Sequence, residues 1–256
     1  MILSLIIPAY NSAVDVLHCL NSLQATAADN STIQWLIQDD ASPDVDFRKL
    51  IPPYAASVAR NEVNWGFAAN CNKGAARARG DILCFCNQDI EANAYSVGWD
   101  TAIRAAFEDA SVGIVGPKLL FPDGKIQSAG GIYDGHLQPH HRCIGYSDIT
   151  HWEVNTPEYV AWVTGAFLAI RRDVFQQVGG FDEAYAGGYW EDVDLNERVK
   201  AAGFKVWYEP RATFTHKVGS TGGSPHFMRN ALLFKQRYVD TRKLVVDVPV
   251  VLERFW

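Results

Sequence analysis

Nowhere in these 256 residues do about 18 apolar side chains follow one another, the least a helix needs to cross a bilayer. Ile2 to Ile7 stops at Pro8 and has no basic flank, which argues against a signal peptide as well as a span. Tyr159 to Ile170 is too short and carries Thr164 and Gly165. Basic tracts are absent too. Lys and Arg number 23 against 29 Asp and Glu, a net charge of -6, and nothing in their distribution would track a phosphate backbone, so no nucleic-acid partner is expected. The first strand-to-helix junction, Pro8-Ala9-Tyr10-Asn11-Ser12, has no glycine where G-x-G-x-x-G needs small residues, and the P-loop pattern is missing. Any nucleotide must bind by another arrangement. Cysteines are few and irregular: Cys84 and Cys86 lie in the strand-like run ILCFC, too close together for a zinc knuckle, and all five read as reduced and packed.

What is present is a series of short apolar runs that end in polar residues. Ile2-Leu3-Ser4-Leu5-Ile6-Ile7 is nearly unbroken β-prone hydrophobe, the pattern of a strand covered on both faces, and Pro8 is expected to end it. Val16, Leu17, Leu20 and Leu23 recur at helical spacing and predict a helix from about Ser12 to Ala27. Ile33 to Ile37 reads as a second strand running into Gln38-Asp39-Asp40-Ala41-Ser42-Pro43, and Val58 to Asn61 as a short third. Ala68 to Arg79 favours helix, ended by Gly80. Ile82 to Cys86 is the next strand and delivers Asn87-Gln88-Asp89 at its carboxyl end. Ligands in open α/β sheets gather at the carboxyl ends of strands, so these polar endings point to one cleft.

Further along, Val97 to Phe107 reads as a helix and Val112 to Gly116 as a strand. Pro117 to Glu158 is rich in glycine and histidine and suggests loops with short antiparallel strands. Ala161 to Ile170 restores an apolar run, Trp190-Glu191-Asp192-Val193-Asp194-Leu195 opens a helix closed by Gly203, and Lys205 to Tyr208 is a further strand. There is no repeat and no polar linker. One compact α/β domain over residues 1–225 is expected, with 226–256 as a helical extension and tail packed on it.

The ordered motifs resemble a family 2 glycosyltransferase of GT-A fold. The resemblance rests on Leu5-Ile6-Ile7-Pro8-Ala9-Tyr10-Asn11, Gln38-Asp39-Asp40-Ala41-Ser42, Asn61-x-x-Asn64-x-Gly66-Phe67 and Asn87-Gln88-Asp89. It continues through Thr164-Gly165-Ala166, Gly179-Gly180-Phe181-Asp182, Trp190-Glu191-Asp192-Val193-Asp194-Leu195 and His216. It implies a Rossmann-like, mostly parallel central sheet flanked by helices, with a small antiparallel portion on the acceptor side. Asn64-Trp65-Gly66-Phe67, N-x-D in place of D-x-D and the late histidine are most similar to bacterial rhamnosyltransferases and related enzymes of surface polysaccharide assembly.

The resemblance implies an inverting transfer from a nucleotide diphosphate sugar, dTDP-rhamnose before a UDP-hexose, to a hydroxyl of a saccharide or lipid-linked saccharide. It places Pro8, Tyr10 and Asn11 around the donor, with Asp39, Asp40, Asn64, Gly66, Phe67, Asn87 and Gln88. A carboxylate at Asp39 can accept the imide N–H of uracil or thymine, although Asp40-Ala41-Ser42-Pro43 is also good turn material. An acidic protein that binds a diphosphate needs local positive charge, and a divalent cation supplies it compactly. Asp89 and His216 are the implied ligands for Mn²⁺ or Mg²⁺, nitrogen donation tilting the choice toward Mn²⁺. Asn87 brings an amide oxygen but no charge.

Asp192, near a helix start, is the implied general base, with Trp190, Glu191 and Gly165 on the acceptor side. Glu191 and Asp194 either bind acceptor or hold the helix. Arg77 and Arg79 either help place phosphate or are surface charges. Ser220 to Ser224 reads as a loop able to close over the diphosphate or as a plain exposed loop. His226 to Tyr238 is a basic amphipathic piece that either packs on the domain or touches lipid, so a cytoplasmic location at the inner membrane face is expected. Two other functions fit an α/β scaffold, a non-catalytic nucleotide- or carbohydrate-binding domain and a nucleotidyltransferase. The latter lacks support, since no glycine- and arginine-rich triphosphate loop stands near Pro8.

Overall fold

The computed structural model describes residues 1–218 and 225–245. β1 (Leu3–Ala9) is buried throughout, and its side chains alternate between two cores: Leu3, Leu5 and Ile7 join one, Ile6 the other. Pro8 does not end this strand; it lies within it, in register with Gln38. α1 (Ala13–Thr26) buries Val16, Cys19, Leu20 and Leu23 in the first core. β2 (Ile33–Asp39), α2 (Phe47–Leu50) and β3 (Ser57–Arg60) build out one edge. α3 (Phe67–Ala76) crosses the opposite face, sending Ala68 and Cys71 into the second core, and leads to β4 (Ile82–Cys86).

α3 ends three residues before Arg79. Arg77 turns its guanidinium back to Ile37 O at 3.2 Å and Gln38 Oε1 at 3.1 Å, a structural use that leaves it away from any phosphate role. Gly80 is needed for close approach rather than as a helix cap, since a Cβ there would lie 2.6 Å from Ser4 N on β1.

The chain continues through β5 (Ile90–Ala92), α4 (Trp99–Ala106) and β6 (Val112–Leu120). The glycine- and histidine-rich stretch forms β7 (Ile126–Ser128), β8 (Gly131–Tyr133), β9 (Pro139–His141), α5 (Trp152–Asn155) and β10 (Glu158–Tyr159). β11 (Phe167–Arg171) and α6 (Arg172–Gln177) follow, then α7 (Glu191–Ala201), β12 (Lys205–His216) and α8 (Phe227–Phe234). Two boundaries depend on distant partners. Within the apolar run 161–170 the strand begins only at Phe167, since Ala161, Trp162 and Val163 bond to Gly131 and Asn196. β12 runs on past Tyr208 to His216, absorbing Pro210 at a register shift between Glu209 and Thr213.

The main sheet has the order β10-β12-β6-β11-β4-β1-β2-β3, with β5 on β12 and β7 on β6; β8 and β9 pair separately. The ladders β4-β1-β2-β3 and β6-β12 are parallel, and β11 is antiparallel between β4 and β6. Because α1 and α3 cover opposite faces, the direction of winding changes between β1 and β4, and a crevice opens at their carboxyl ends.

α8 closes one side of the molecule. Phe234 is buried with Tyr133, Trp162, Tyr185 and Val193. Asn230, fully buried, donates through Nδ2 to Ala186 O at 3.0 Å, Gly188 O at 3.0 Å and Tyr189 O at 3.1 Å. That turn needs holding: Gly187, Gly188, Tyr189 and Trp190 all have positive φ, at 69°, 88°, 69° and 76°, and the two aromatic residues resist this conformation. Replacing Asn230 by Ala leaves three carbonyls without their donor and is expected to cost about 1–3 kcal/mol. Urea unfolding checks this, and a loss under about 0.5 kcal/mol, the range of an inert surface change, contradicts the clamp.

Candidate active site

The carboxyl ends of β1, β2 and β4 are tied into one unit. Gln88, buried, accepts from Tyr10 N at 2.9 Å and donates to Tyr10 O at 3.1 Å, joining β4 to β1. Asn11 N donates to Ser42 Oγ at 2.8 Å, joining β1 to the loop after β2. Asn11, Ser12 and Ala41 have φ of 55°, 47° and 61°, so left-handed non-glycine residues collect at this end of the sheet, as they do at functional sites.

Asp39 and Asp40 have different surroundings. Asp39 accepts from Ser42 Oγ at 2.5 Å and Ser42 N at 3.0 Å, and pairs with Arg60 Nη1 at 2.8 Å. Asp40 accepts from Asn61 Nδ2 at 2.7 Å, Trp65 N at 2.9 Å and Gly66 N at 2.8 Å, which fixes the Asn64-Trp65-Gly66 turn at the start of α3. Asn64 caps the same Gly66 N at 3.1 Å, and Gly66 holds a φ of 82° there. Phe67 packs edge-on against Phe181. Asp40 thus organises its neighbours, and Arg60, which sequence reasoning does not single out, neutralises Asp39.

Asn87, Gln88 and Asp89 follow β4. Asn87 N donates to Ala166 O at 2.9 Å, while Asn87 Oδ1 is buried with no hydrogen-bond partner among the described residues. Asp89 Oδ1 stands 3.2 Å from His216 Nε2, and His216 Nδ1 lies 2.7 Å from Gln127 Oε1. Both Asp89 and His216 are buried. No group of three or more His, Cys, Asp or Glu side chains gathers among the described residues. The chain therefore offers two hard-to-borderline ligands, with a bare amide oxygen close by in sequence, and leaves other coordination positions for phosphate and water. That donor set fits a divalent cation shared with a diphosphate.

Two adjacent residues, Gly165 and Ala166, link this motif to the carboxylate proposed as base. Ala166 O receives Asn87 N, and Gly165 N donates to Asp192 Oδ2 at 2.8 Å. Asp192 Oδ1 accepts from Val193 N at 2.8 Å in the first turn of α7. A Cβ on Gly165 would lie 3.2 Å from Asp192 Cβ, so the two elements meet with little to spare. Burial raises the Asp192 carboxyl above its ordinary range, opposed by the hydrogen bonds from Gly165, Val193 and Thr164. Glu191 is raised much further, by burial first and then by the charge of Asp192, and its Oε2 is buried without a hydrogen-bond partner among the described residues. Trp190 packs on Phe234 and Phe227, with ring centroids at 5.3 Å and 5.9 Å, and its Nε1 also lacks a hydrogen-bond partner among the described residues.

Asp194 does not face this site. It is fully buried, pairs with Arg198 at 2.7 Å and accepts from Tyr238 at 2.8 Å, so it holds α7 to the chain after α8. Ser220 to Ser224 lie outside the described residues, as does all but Leu244 and Val245 of the tail. No helix among the described residues is long and apolar enough to cross a membrane. Buried polar atoms with no hydrogen-bond partner among the described residues recur at Asn11, Asn87, Gln127, Trp190 and Glu191, on elements that converge here. Such atoms are costly unless a ligand satisfies them.

Comparison with known proteins bears on this arrangement. Residues 4–125 match the family model Glycosyl transferase family 2. The chain is 33% identical over 157 residues to the N-acetylglucosaminyl-diphospho-decaprenol L-rhamnosyltransferase of Mycobacterium tuberculosis, covering 57% of this chain and 50% of that protein. It is 31% identical over 173 residues to the uncharacterized protein y4gI of Sinorhizobium fredii, covering 65% of this chain and 18% of that one. The chain thus spans half or less of the length of these relatives. Among solved structures, GalNAc-T7 with UDP, GalNAc and Mn²⁺ superposes with a TM-score of 0.71 at 16% identity, covering 92% of this chain and 47% of that one. At that identity the likeness establishes the fold, which is GT-A. With its family motifs in order along that fold, the chain carries a glycosyl transferase family 2 segment over residues 4–125.

Proposed function

We propose that this protein is a metal-dependent, inverting glycosyltransferase that moves a sugar from a nucleotide diphosphate to an acceptor hydroxyl. The observation that carries the reading is the Gly165–Ala166 bridge, which joins Asp192 to the Asn87-Gln88-Asp89 motif through two backbone hydrogen bonds. A proton acceptor and a diphosphate-binding motif then stand on either side of one loop, and a displacement at an anomeric carbon needs both.

Asp192 takes the proton from the acceptor hydroxyl as that oxygen bonds to the anomeric carbon, and the bond from that carbon to the diphosphate oxygen breaks on the opposite face. The N–H groups of Gly165 and Val193 hold the carboxylate in position through both steps. Burial and the charge of Asp192 raise the Glu191 carboxyl well above its ordinary range, which favours the form that can donate a hydrogen bond to the acceptor. Asp89 and His216 hold the cation, which when bound neutralises charge on the departing diphosphate. Pro8, Tyr10, Asn11, Asp39, Asp40 and Gln88 shape the nucleotide side, with Asn64, Gly66 and Phe67 along the start of α3.

The donor proposed is dTDP-rhamnose, on the motif resemblance and the relative named as an L-rhamnosyltransferase, with UDP-hexoses as the alternative donors. The acceptor is a saccharide or lipid-linked saccharide of surface polysaccharide assembly. Met228 and Leu232, exposed on α8, are the surface proposed for peripheral contact with the inner membrane face.

A thermal-shift panel of nucleotide sugars with and without Mn²⁺ tests the donor site. The right donor stabilises the fold by about 2.7 kcal/mol at a hundred times its Kd, the gain requires the cation, and Asp89→Ala abolishes the cation dependence. No stabilisation by any nucleotide sugar overturns the reading.

Asp192→Asn should retain donor binding and lower turnover by roughly 10²-fold to 10⁴-fold, measured as donor hydrolysis or transfer. Unchanged turnover assigns the proton to another group.

The base must be ionised to act. Because burial raises Asp192, kcat/KM should fall with decreasing pH at a midpoint above about 3.9, the ordinary aspartate value. A profile flat to about pH 4 contradicts that role.

A further inference from the structure

We propose that Gln127 is a positioning residue for the cation: by accepting the Nδ1 proton of His216 it fixes the imidazole tautomer whose Nε2 lone pair faces Asp89. The inference rests on the metal-dependent reading above and adds to it a residue beyond the segment matched by the family model, which ends at 125.

The backbone shows how Gln127 reaches its place. His216 ends β12, paired with Ile90 on one side, while its neighbour Thr215 pairs with Leu120 of β6 on the other. β7 lies on the far edge of β6, where Leu119 pairs with Ser128 and Leu120 with Ile126. One step along β6 thus answers two along β7, and Gln127 is the residue left without an opposite number. Bulges of this kind occur beside active sites and re-aim the side chain they free. Here the side chain, 6% exposed, brings Oε1 to 2.7 Å from His216 Nδ1.

An amide oxygen carries no proton, so this bond requires that Nδ1 carry one. In the neutral ring Nε2 is then an acceptor, and it stands 3.2 Å from Asp89 Oδ1, another acceptor. Two lone pairs facing each other at that distance need positive charge between them, which a divalent cation supplies. The other end of the amide supports the same reading. Gln127 Nε2 is buried and makes no hydrogen bond among the described residues, a loss that a leucine of similar size would avoid. The bond to His216 accounts for an amide at this position.

The test is Mn²⁺ binding to the full chain, titrated by the EPR signal of the free ion in the presence of UDP or dTDP, in wild type, Asp89→Ala, Gln127→Leu and Gln127→Glu. Gln127→Leu should weaken Mn²⁺ binding about 10-fold to 100-fold, whereas Gln127→Glu, which still accepts from Nδ1, should match or exceed wild type. Gln127→Leu with wild-type affinity, or Gln127→Glu as weak as Gln127→Leu, overturns the inference while a loss in Asp89→Ala keeps the metal site. Equal binding by wild type and Asp89→Ala overturns the metal reading itself. Long-range ¹H–¹⁵N spectra of the metal-free wild type in alkaline buffer give a second readout that needs no variant to fold. A proton on Nδ1 of His216 is expected, and a proton on Nε2 contradicts the proposal.

Discussion

A carboxylate that is to take a proton cannot be satisfied by a cation of its own, yet it must be held still. Asp192 meets both demands with backbone N–H groups, from Gly165 on one oxygen and Val193 on the other. The rest of the site depends on that loop. Ala166 next to it receives Asn87 N, so the strand end that carries Asp89 is linked to the proposed base through main chain. The close packing of Gly165 on Asp192 leaves room for no larger residue without movement. On the other side of Asp192, the left-handed run from Gly187 to Trp190 sets how α7 begins, and Asn230 holds it from a different part of the chain.

Electrostatics follow the same economy. The protein carries a net charge of -6, which disfavours a diphosphate, and the site softens this in three places. Arg60 pairs with Asp39, the N-x-D motif has an amide where a second carboxylate commonly stands, and burial and Asp192 raise the Glu191 carboxyl well above its ordinary range. A divalent cation held by Asp89 and His216, as proposed, would supply positive charge there.

Much of this was readable from local pattern. β1, β2 and β4 show as apolar runs because both faces of a parallel sheet are buried, and the polar residues that follow them mark the crevice. The acidic start of α7 and the late histidine are similarly local signals. Other features escaped because they depend on distant partners. β12 continues to His216 through Pro210 only because a register shift against β6 absorbs it. Within the apolar run 161–170 the strand begins only at Phe167, since Ala161, Trp162 and Val163 bond to Gly131 and Asn196. Gln127 and His216 are 89 positions apart, and Asn230 reaches a turn more than forty positions earlier; no periodicity encodes either pairing. Asp40 and Asp194 look like ligand-binding acids in sequence, and in the fold their oxygens are engaged by the protein itself.

The central claim is that the cation-binding pair and Asp192 face one cleft across the diphosphate and sugar. The most direct measurement is an anomalous difference map from crystals grown with Mn²⁺ and UDP or dTDP. The account predicts a manganese peak coordinated by Asp89 and His216 and by the diphosphate, with the Asp192 carboxylate opening onto the space beyond the terminal phosphate. A peak elsewhere, or a nucleotide whose terminal phosphate points away from Asp192, would contradict it.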